Sequence, residues 1–282
     1  MLKAGFINFM PFGLKGDDYY NKLKEYAEIG YKGFENATSL LTEGDPLENL
    51  ARVKSYGIEP IDIGEQLHGF QGPAATEEEV IEAAHKLGVK RITCFNNWAS
   101  TWRFTNSPDP VPQPSYDDVM KQIEEFERKA TIYAKEGLDL MYHNHDAEFT
   151  LIYRGEELYK LVLANTENLK FELDCGWATY GGSDPVKLIH QMGKRISALH
   201  LKDYQPGITV SYAMGPMKME HVIVPQFTAV GSGCVNIIGC LKAGDEEGIE
   251  WAIVEQDFMN KLDQKNSLIC AYLNMKESGY VE

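Results

Sequence analysis

Apolar residues recur along this chain at helical spacing, and each such stretch ends at a glycine with a β-rich run just beyond it. Tyr20, Leu23, Tyr26 and Ala27 keep one helical face before Gly30. Thr76 with Glu79 forms a capping box ahead of Val80, Ala83, Ala84 and Leu87, and Gly88 follows. Ile123, Phe126, Ala130 and Tyr133 line a long helix after Ser115, and Asp184-Pro185 reads as an N-cap with the favoured first-turn proline. Glycines 30, 57, 88, 137 and 248, and more loosely Gly193, each sit where a left-handed residue ends a helix and returns the chain to a strand. Repeated helix–glycine–strand units predict parallel strands joined by crossovers.

The strands fall at about 4–9, 32–37, 59–64, 91–96, 138–144, 169–175, 196–202 and 250–256. Eight βα units predict an α/β fold of the (β/α)8 barrel type. An open doubly wound sheet would want a Gly-rich phosphate loop after its first strand, and Asn8-Phe9-Met10-Pro11-Phe12-Gly13 is not one. No linker or low-complexity stretch interrupts the pattern, so residues 1–282 are expected to form a single domain.

Charge and composition narrow the chemistry. A net charge of −15 disfavours nucleic acid and anionic membrane surfaces as partners. Five scattered cysteines with no C-x-x-C argue against a disulfide framework or zinc knuckle and for a reducing cytoplasm. The first residues read as a strand rather than a signal peptide, and no apolar run reaches the ~18 residues of a membrane span.

In such a barrel the chemistry sits at the C-terminal ends of the strands. There the sequence places Glu35, then Glu65 to His68, then Asn96, Asn97 and Trp98. The fifth to eighth ends carry Tyr142-His143-Asn144-His145-Asp146-Ala147-Glu148, Glu172-Leu173-Asp174-Cys175-Gly176-Trp177, Leu199-His200-Leu201-Lys202-Asp203 and Val254-Glu255-Gln256-Asp257. One charged strand end is commonly just solvated. Four adjacent ends loaded with carboxylates and imidazoles predict a divalent metal site with oxygen and nitrogen ligands, suiting Mn²⁺, Mg²⁺, Co²⁺, Fe²⁺ or Zn²⁺.

Those four runs resemble the sugar phosphate isomerase/epimerase family, the xylose-isomerase-like group of barrels. The resemblance spans nearly the whole chain and implies a Glu, Asp, His, Glu metal quartet from strands five to eight, with Mn²⁺ the first choice of ion. Asp174, His200 and Glu255 stand at the last three positions. At the first, His143 occupies the place commonly held by Glu; either it is a ligand, or Glu148 is, which frees His143 for catalysis. The second alternative is preferred. The resemblance further implies proton abstraction next to a carbonyl, which family members carry out with two glutamates. Here a histidine stands in the strand-five place, so His143 or His145 is expected to be the base and Lys202 to stabilise the developing oxyanion. Glu35, His68, Trp98 and Trp177 are the expected contacts to a small sugar or glycoside, with plain rim packing the alternative for Trp177.

Residues 205–230 form a longer, more apolar insertion than is usual in the family, carrying Tyr212, Met214, Met217, Met219, Val222, Val224 and Phe227. It is expected to be a rim lid, or else a surface for an apolar substrate part, a second copy or a small partner subunit. Trp102 and Phe104 add aromatic surface after strand four. The leading expectation is a metal-dependent sugar isomerase/epimerase. The alternatives are a lyase resembling the barrel subunits that cleave 3-oxo-glycosides, including C-glycosides, by β-elimination, and a non-catalytic sugar-binding barrel.

Overall fold

The structure, a computed structural model, describes residues 1–7, 14–68, 73–96, 113–214 and 219–282, without the side chains of 211–214 and 219–223. Its main sheet is wholly parallel: β1 (Lys3–Ile7), β2 (Gly33–Glu35), β3 (two pieces, Glu59–Pro60 and Asp62–Gly64), β4 (Arg91–Phe95), β5 (Asp139–His143), β6 (Lys170–Asp174), β7 (Ile196–Leu201) and β8 (Trp251–Val254). The two ends of the strand order are the two pieces of β3, separated by Ile61 alone. Glu59 pairs with Gly33 on one side and Asp62 with Arg91 on the other, so the order runs back on itself as a barrel. The expected (β/α)8 architecture is therefore the fold.

The helices follow the pattern of the sequence. Thr76 and Glu79 make a reciprocal capping box on helix Glu77–Leu87, and Gly88 ends it with φ 70°. Ser115 caps Tyr116–Lys135, and Asp184 accepts from Val186 and Lys187 N–H ahead of Pro185–Met192. Tyr20, Leu23, Tyr26, Val80, Leu87, Ile123, Phe126 and Tyr133 all turn inward onto the strands. Burying one such side chain contributes roughly 1.5–3 kcal/mol.

Because a strand alternates faces every residue, every second side chain points into the barrel. At the bottom an ionic plug links Lys3 to Glu59 and Glu250, Arg91 to Glu250 and Ser197, and Ser197 to Asp139. Above it Ile61, Met141, Ala198, Trp251 and Ile253 form a separate apolar layer. Trp251 fits because β2 supplies Gly33; a Cβ there would come within 2.6 Å of the indole. The next layer up is polar, and it forms the floor of the site.

The insertion after β7 is a two-stranded antiparallel ribbon, Asp203–Met214 against Met219–Thr228. Asp203 anchors its base by accepting from the N–H groups of Tyr204, Gly231, Gly233 and Val235. Val224 and Phe227 are buried there. Tyr212, Met214, Met219 and Val222 have no described side chains, and Met217 lies outside the described residues. Among the described residues no helix is long and apolar enough to cross a membrane.

Candidate metal centre

Alternation places His143 last on the inner face of β5, Glu172 and Asp174 on that of β6, and His200 and Lys202 on β7 and its end. Glu255 and Asp257 continue the inner face of β8. All but Asp257 are buried in the described structure. One potential ligand atom each from His143, Asp174, His200 and Glu255 lies within 4.8 Å of the other three, as a single ion requires. Glu35, Glu172 and His200 form a second such group directly behind it.

Local structure holds these groups still. Asp174 N–H donates to Asn144 Oδ1 (3.0 Å) and the Asn144 amide returns a bond to Asp174 O (3.2 Å), locking the ends of β5 and β6 together. Asp174 Oδ1 also caps helix Cys175–Tyr180 through Trp177 N–H (2.6 Å), which leaves Oδ2 for the pocket. Gly176 lets that helix lie against β7, since a Cβ would come within 2.6 Å of Lys202 O. His143 Nε2 is 4.0 Å from Asp174 Oδ2, and its Nδ1 is 3.1 Å from Glu172 Oε2. His200 faces Glu255 through Nδ1 (3.0 Å) and contacts Glu35 through Nε2. The Lys202 ammonium meets Glu255 and Asp257 at 2.8 Å each and Asp174 at 3.5 Å. The rings of Trp177 and Phe227 lie 4.9 and 5.4 Å from it.

The electrostatics are those of a pocket with excess negative charge. Burial, aided by Glu172, pushes Glu35 up to about 7. Burial also pushes Glu172 up to about 8 and raises Asp62 and Asp174 above the usual carboxylate range. Glu255 is held well below that range; burial opposes this, but Lys202 and the bond from His200 outweigh it. His200 is raised well above an ordinary imidazole despite burial, because Glu172 and Glu35 face it. Burial and the charge of His200 bring His143 down to about 4 and keep it neutral. Asp174 Oδ2 and Glu172 Oε1 are buried with no hydrogen-bond partner among the described residues. Two imidazoles, an ionised carboxylate and an orphaned carboxylate oxygen suit a divalent cation with mixed ligands.

The alternatives at strand five are separated by position. Glu148 is not in the group; on the short helix Ala147–Thr150 it accepts from the Tyr142 hydroxyl and from His145 N–H (2.9 Å). The geometry thus departs from the preferred expectation and sets His143 beside the other three. Burial pushes Glu148 up to about 8, against the bonds from Tyr142 and His145. The folded chain holds this proton more tightly than an unfolded Glu of pKa ~4.3. That stabilisation is complete below about 4.3 and is lost as pH rises through the folded value. Glu148→Gln removes this loss, so urea denaturation should show the variant gaining on the wild type between roughly pH 5 and pH 9. A stability difference that stays constant with pH would contradict this account of Glu148.

The other expected residues are spread unevenly. His145 is buried beside His143 and Trp177, with ring centroids 5.0 and 5.8 Å away. Trp177 is itself buried, packed on Phe227 and Tyr180, so it is a wall of the site rather than an open sugar platform. Glu35 lies under His200 instead of at the rim. His68 is exposed near Glu79, away from the cluster. Trp98, Trp102 and Phe104 lie outside the described residues. Sequence reasoning assigned no role to Glu172, Asn144, Asp62 or Asp257. The available signal for Glu172 was a charged residue inside an otherwise apolar strand, two positions before Asp174.

Comparison with known proteins agrees with this fold. The chain is 28% identical over 258 residues to inosose dehydratase of Geobacillus kaustophilus strain HTA426, covering 86% of this chain and 82% of that protein. It is 30% identical over 274 residues to inosose dehydratase of Clostridium botulinum strain Alaska E43 / Type E3, covering 89% of each. The crystal structure of a sugar phosphate isomerase/epimerase from Parabacteroides distasonis ATCC 8503 superposes with a TM-score of 0.72 at 20% identity. That match covers 100% of this chain and 96% of the other, and is a likeness of fold. With residues 23–267 matching its family model, the chain belongs to the xylose isomerase-like TIM barrel family.

Proposed function

We propose that this protein is a divalent-metal-dependent lyase that removes a proton next to the carbonyl of a keto-carbohydrate or keto-cyclitol and expels the β-oxygen substituent. The observation that carries the reading is the convergence of His143, Asp174, His200 and Glu255 on one buried point, with Lys202 bridging two of the four. Relatives named as dehydratases favour elimination over epimerisation. Mn²⁺ is the first ion to test, since the donor set is mixed oxygen and nitrogen without thiolate. When bound, such an ion polarises a substrate carbonyl and acidifies the neighbouring C–H.

The protein's own groups do the rest. His145 is the base: burial and the nearby His143 and Lys202 hold it well below the ordinary imidazole range, so it is neutral and able to accept. Lys202, its positive charge kept by three carboxylates, stabilises negative charge developing on the substrate oxygen. Trp177 and Phe227, both buried, close the wall beside it and limit water. Epimerisation is the second reading. It shares the first step, and the Lys202–Asp257 pair gives it a second proton source.

The test is a screen of keto-cyclitols, 3-oxo-glycosides and keto-sugars in D₂O, with Mn²⁺-loaded and chelator-treated enzyme, followed by NMR. Release of water or an aglycone with an unsaturated or dione product is the expected result. An epimer carrying solvent deuterium would favour the second reading. His145→Gln should keep the ion and lose exchange. No turnover or exchange in enzyme shown to hold its metal would overturn the assignment.

A further inference from the structure

Behind the four converging groups, two further carboxylates, Glu172 and Glu35, contact their imidazoles. Glu172 Oε2 is 3.1 Å from His143 Nδ1 and 3.4 Å from His200 Nε2, so one oxygen serves both rings. Glu35 contacts the same His200 Nε2. Its aim is set by Asn36, which turns the chain at the end of β2 in the left-handed region (φ 56°). Asp62 fixes that turn by accepting from Asn36 N–H (2.6 Å) and from the Thr93 hydroxyl (2.6 Å). Asp62 is thereby occupied, and Glu35 and Glu172 are left to the imidazoles.

We propose that Glu172 is a positioning residue which, with Glu35, fixes the ring protons of His143 and His200 so that His143 Nε2 and His200 Nδ1 face the pocket with Asp174 and Glu255. Once ionised, a carboxylate can only accept, so the ring nitrogen it faces carries the hydrogen. At His143, Glu172 Oε2 faces Nδ1 and draws the ring hydrogen to that nitrogen, which leaves Nε2 on the Asp174 side. At His200 Glu35 and Glu172 keep the proton on Nε2, and Nδ1 is the nitrogen beside Glu255. Outer carboxylates acting on ligand histidines in this way set both ring orientation and basicity.

Glu35, Glu172 and His200 also lie close enough together to hold an ion of their own. Two ions on opposite sides of His200 would require the ring to lose both protons and bridge as an imidazolate. With two carboxylates placed to accept from Nε2, the site is built to keep a proton there. The cost of this arrangement is visible in Glu172 Oε1, which is buried and makes no hydrogen bond among the described residues.

The inference rests on the metal-dependent reading for its purpose, but the proton positions belong to the metal-free chain. Imidazole ¹⁵N NMR of chelated full-length protein should show the His143 proton on Nδ1, and Glu172→Gln should make that signal a mixture of tautomers. Calorimetric titration with Mn²⁺ alone should find one ion per chain, with affinity falling roughly 10–100-fold in Glu172→Gln and partly recovered in Glu172→Asp. The proposal is overturned by a wild-type His143 proton on Nε2, or by tautomer and affinity both unchanged in Glu172→Gln. Two Mn²⁺ per chain, one of them lost in Glu172→Gln, would overturn it too and make the second group an ion site. Tautomers as stated in a protein that turns over no keto substrate would uphold the positioning and sink the proposed reaction.

Discussion

Asp174→Asn should leave the barrel folded, remove the bound ion and lower turnover by about a thousandfold or more. The two oxygens of Asp174 have separate tasks. Oδ1 accepts from Trp177 N–H and caps helix Cys175–Tyr180, a bond that an Asn side-chain oxygen can also accept. Oδ2 is the orphaned atom facing His143 and Lys202, and replacing it with an amide puts a donor where a cation belongs. Losing the Lewis acid costs several kcal/mol of transition-state stabilisation. At about 1.4 kcal/mol per tenfold in rate, the thousandfold figure follows. Asp174→Ala should lose the cap as well, at about 1 kcal/mol of additional stability. Metal content by elemental analysis, turnover and thermal denaturation separate the two effects. Full metal content in Asp174→Asn would exclude Asp174 as a ligand.

Lys202→Met should be the most destabilising single change at the site, and the loss should be largest without metal. Lys202 is 1% exposed and is the shared counter-ion of Asp174, Glu255 and Asp257. Removing one partner of a buried ion pair typically costs about 3–5 kcal/mol, because the remaining charge is left uncompensated. At roughly 2–4 °C per kcal/mol for a chain of this order of size, Tm should fall by on the order of 10 °C. Met keeps the apolar contact with Trp177 and Phe227, so the change reports the charge rather than the packing. Adding Mn²⁺ should recover part of the loss, since an ion beside Asp174 and Glu255 supplies the missing positive charge. Adding Asp257→Asn should recover another part by removing one of the stranded carboxylates. Equal Tm values for wild type and variant in chelator would show that the three carboxylates do not depend on Lys202.

How much of this was legible in the sequence follows from the range of the interactions involved. The barrel was legible because its signals are local and repeated: a capping box at Thr76 and Glu79, apolar faces at helical spacing, and glycines where helices end. Each depends on residues a few positions apart, so each can be read without knowing what the element packs on. The strand ends were legible for the same reason, and they brought Asp174, His200 and Glu255 onto one rim. The choice between His143 and Glu148 was not a local question. Both belong to one short run, and what separates them is the turn after β5. It folds Glu148 back onto the Tyr142 hydroxyl and His145 N–H, while alternation keeps His143 on the inner face. Glu35 and Glu172 could be seen as charges but not as partners of imidazoles on other strands. Their pairing with His200 exists only because barrel closure brings β2, β6 and β7 around one axis. In sequence Trp177 reads equally as a platform or as rim packing; in the fold it is a wall, because the ribbon base delivers Phe227 against it. Local patterning determined the elements and their order. Which carboxylates meet which imidazoles was decided by tertiary structure, since closing the barrel sets distances between strands that no spacing along the chain encodes.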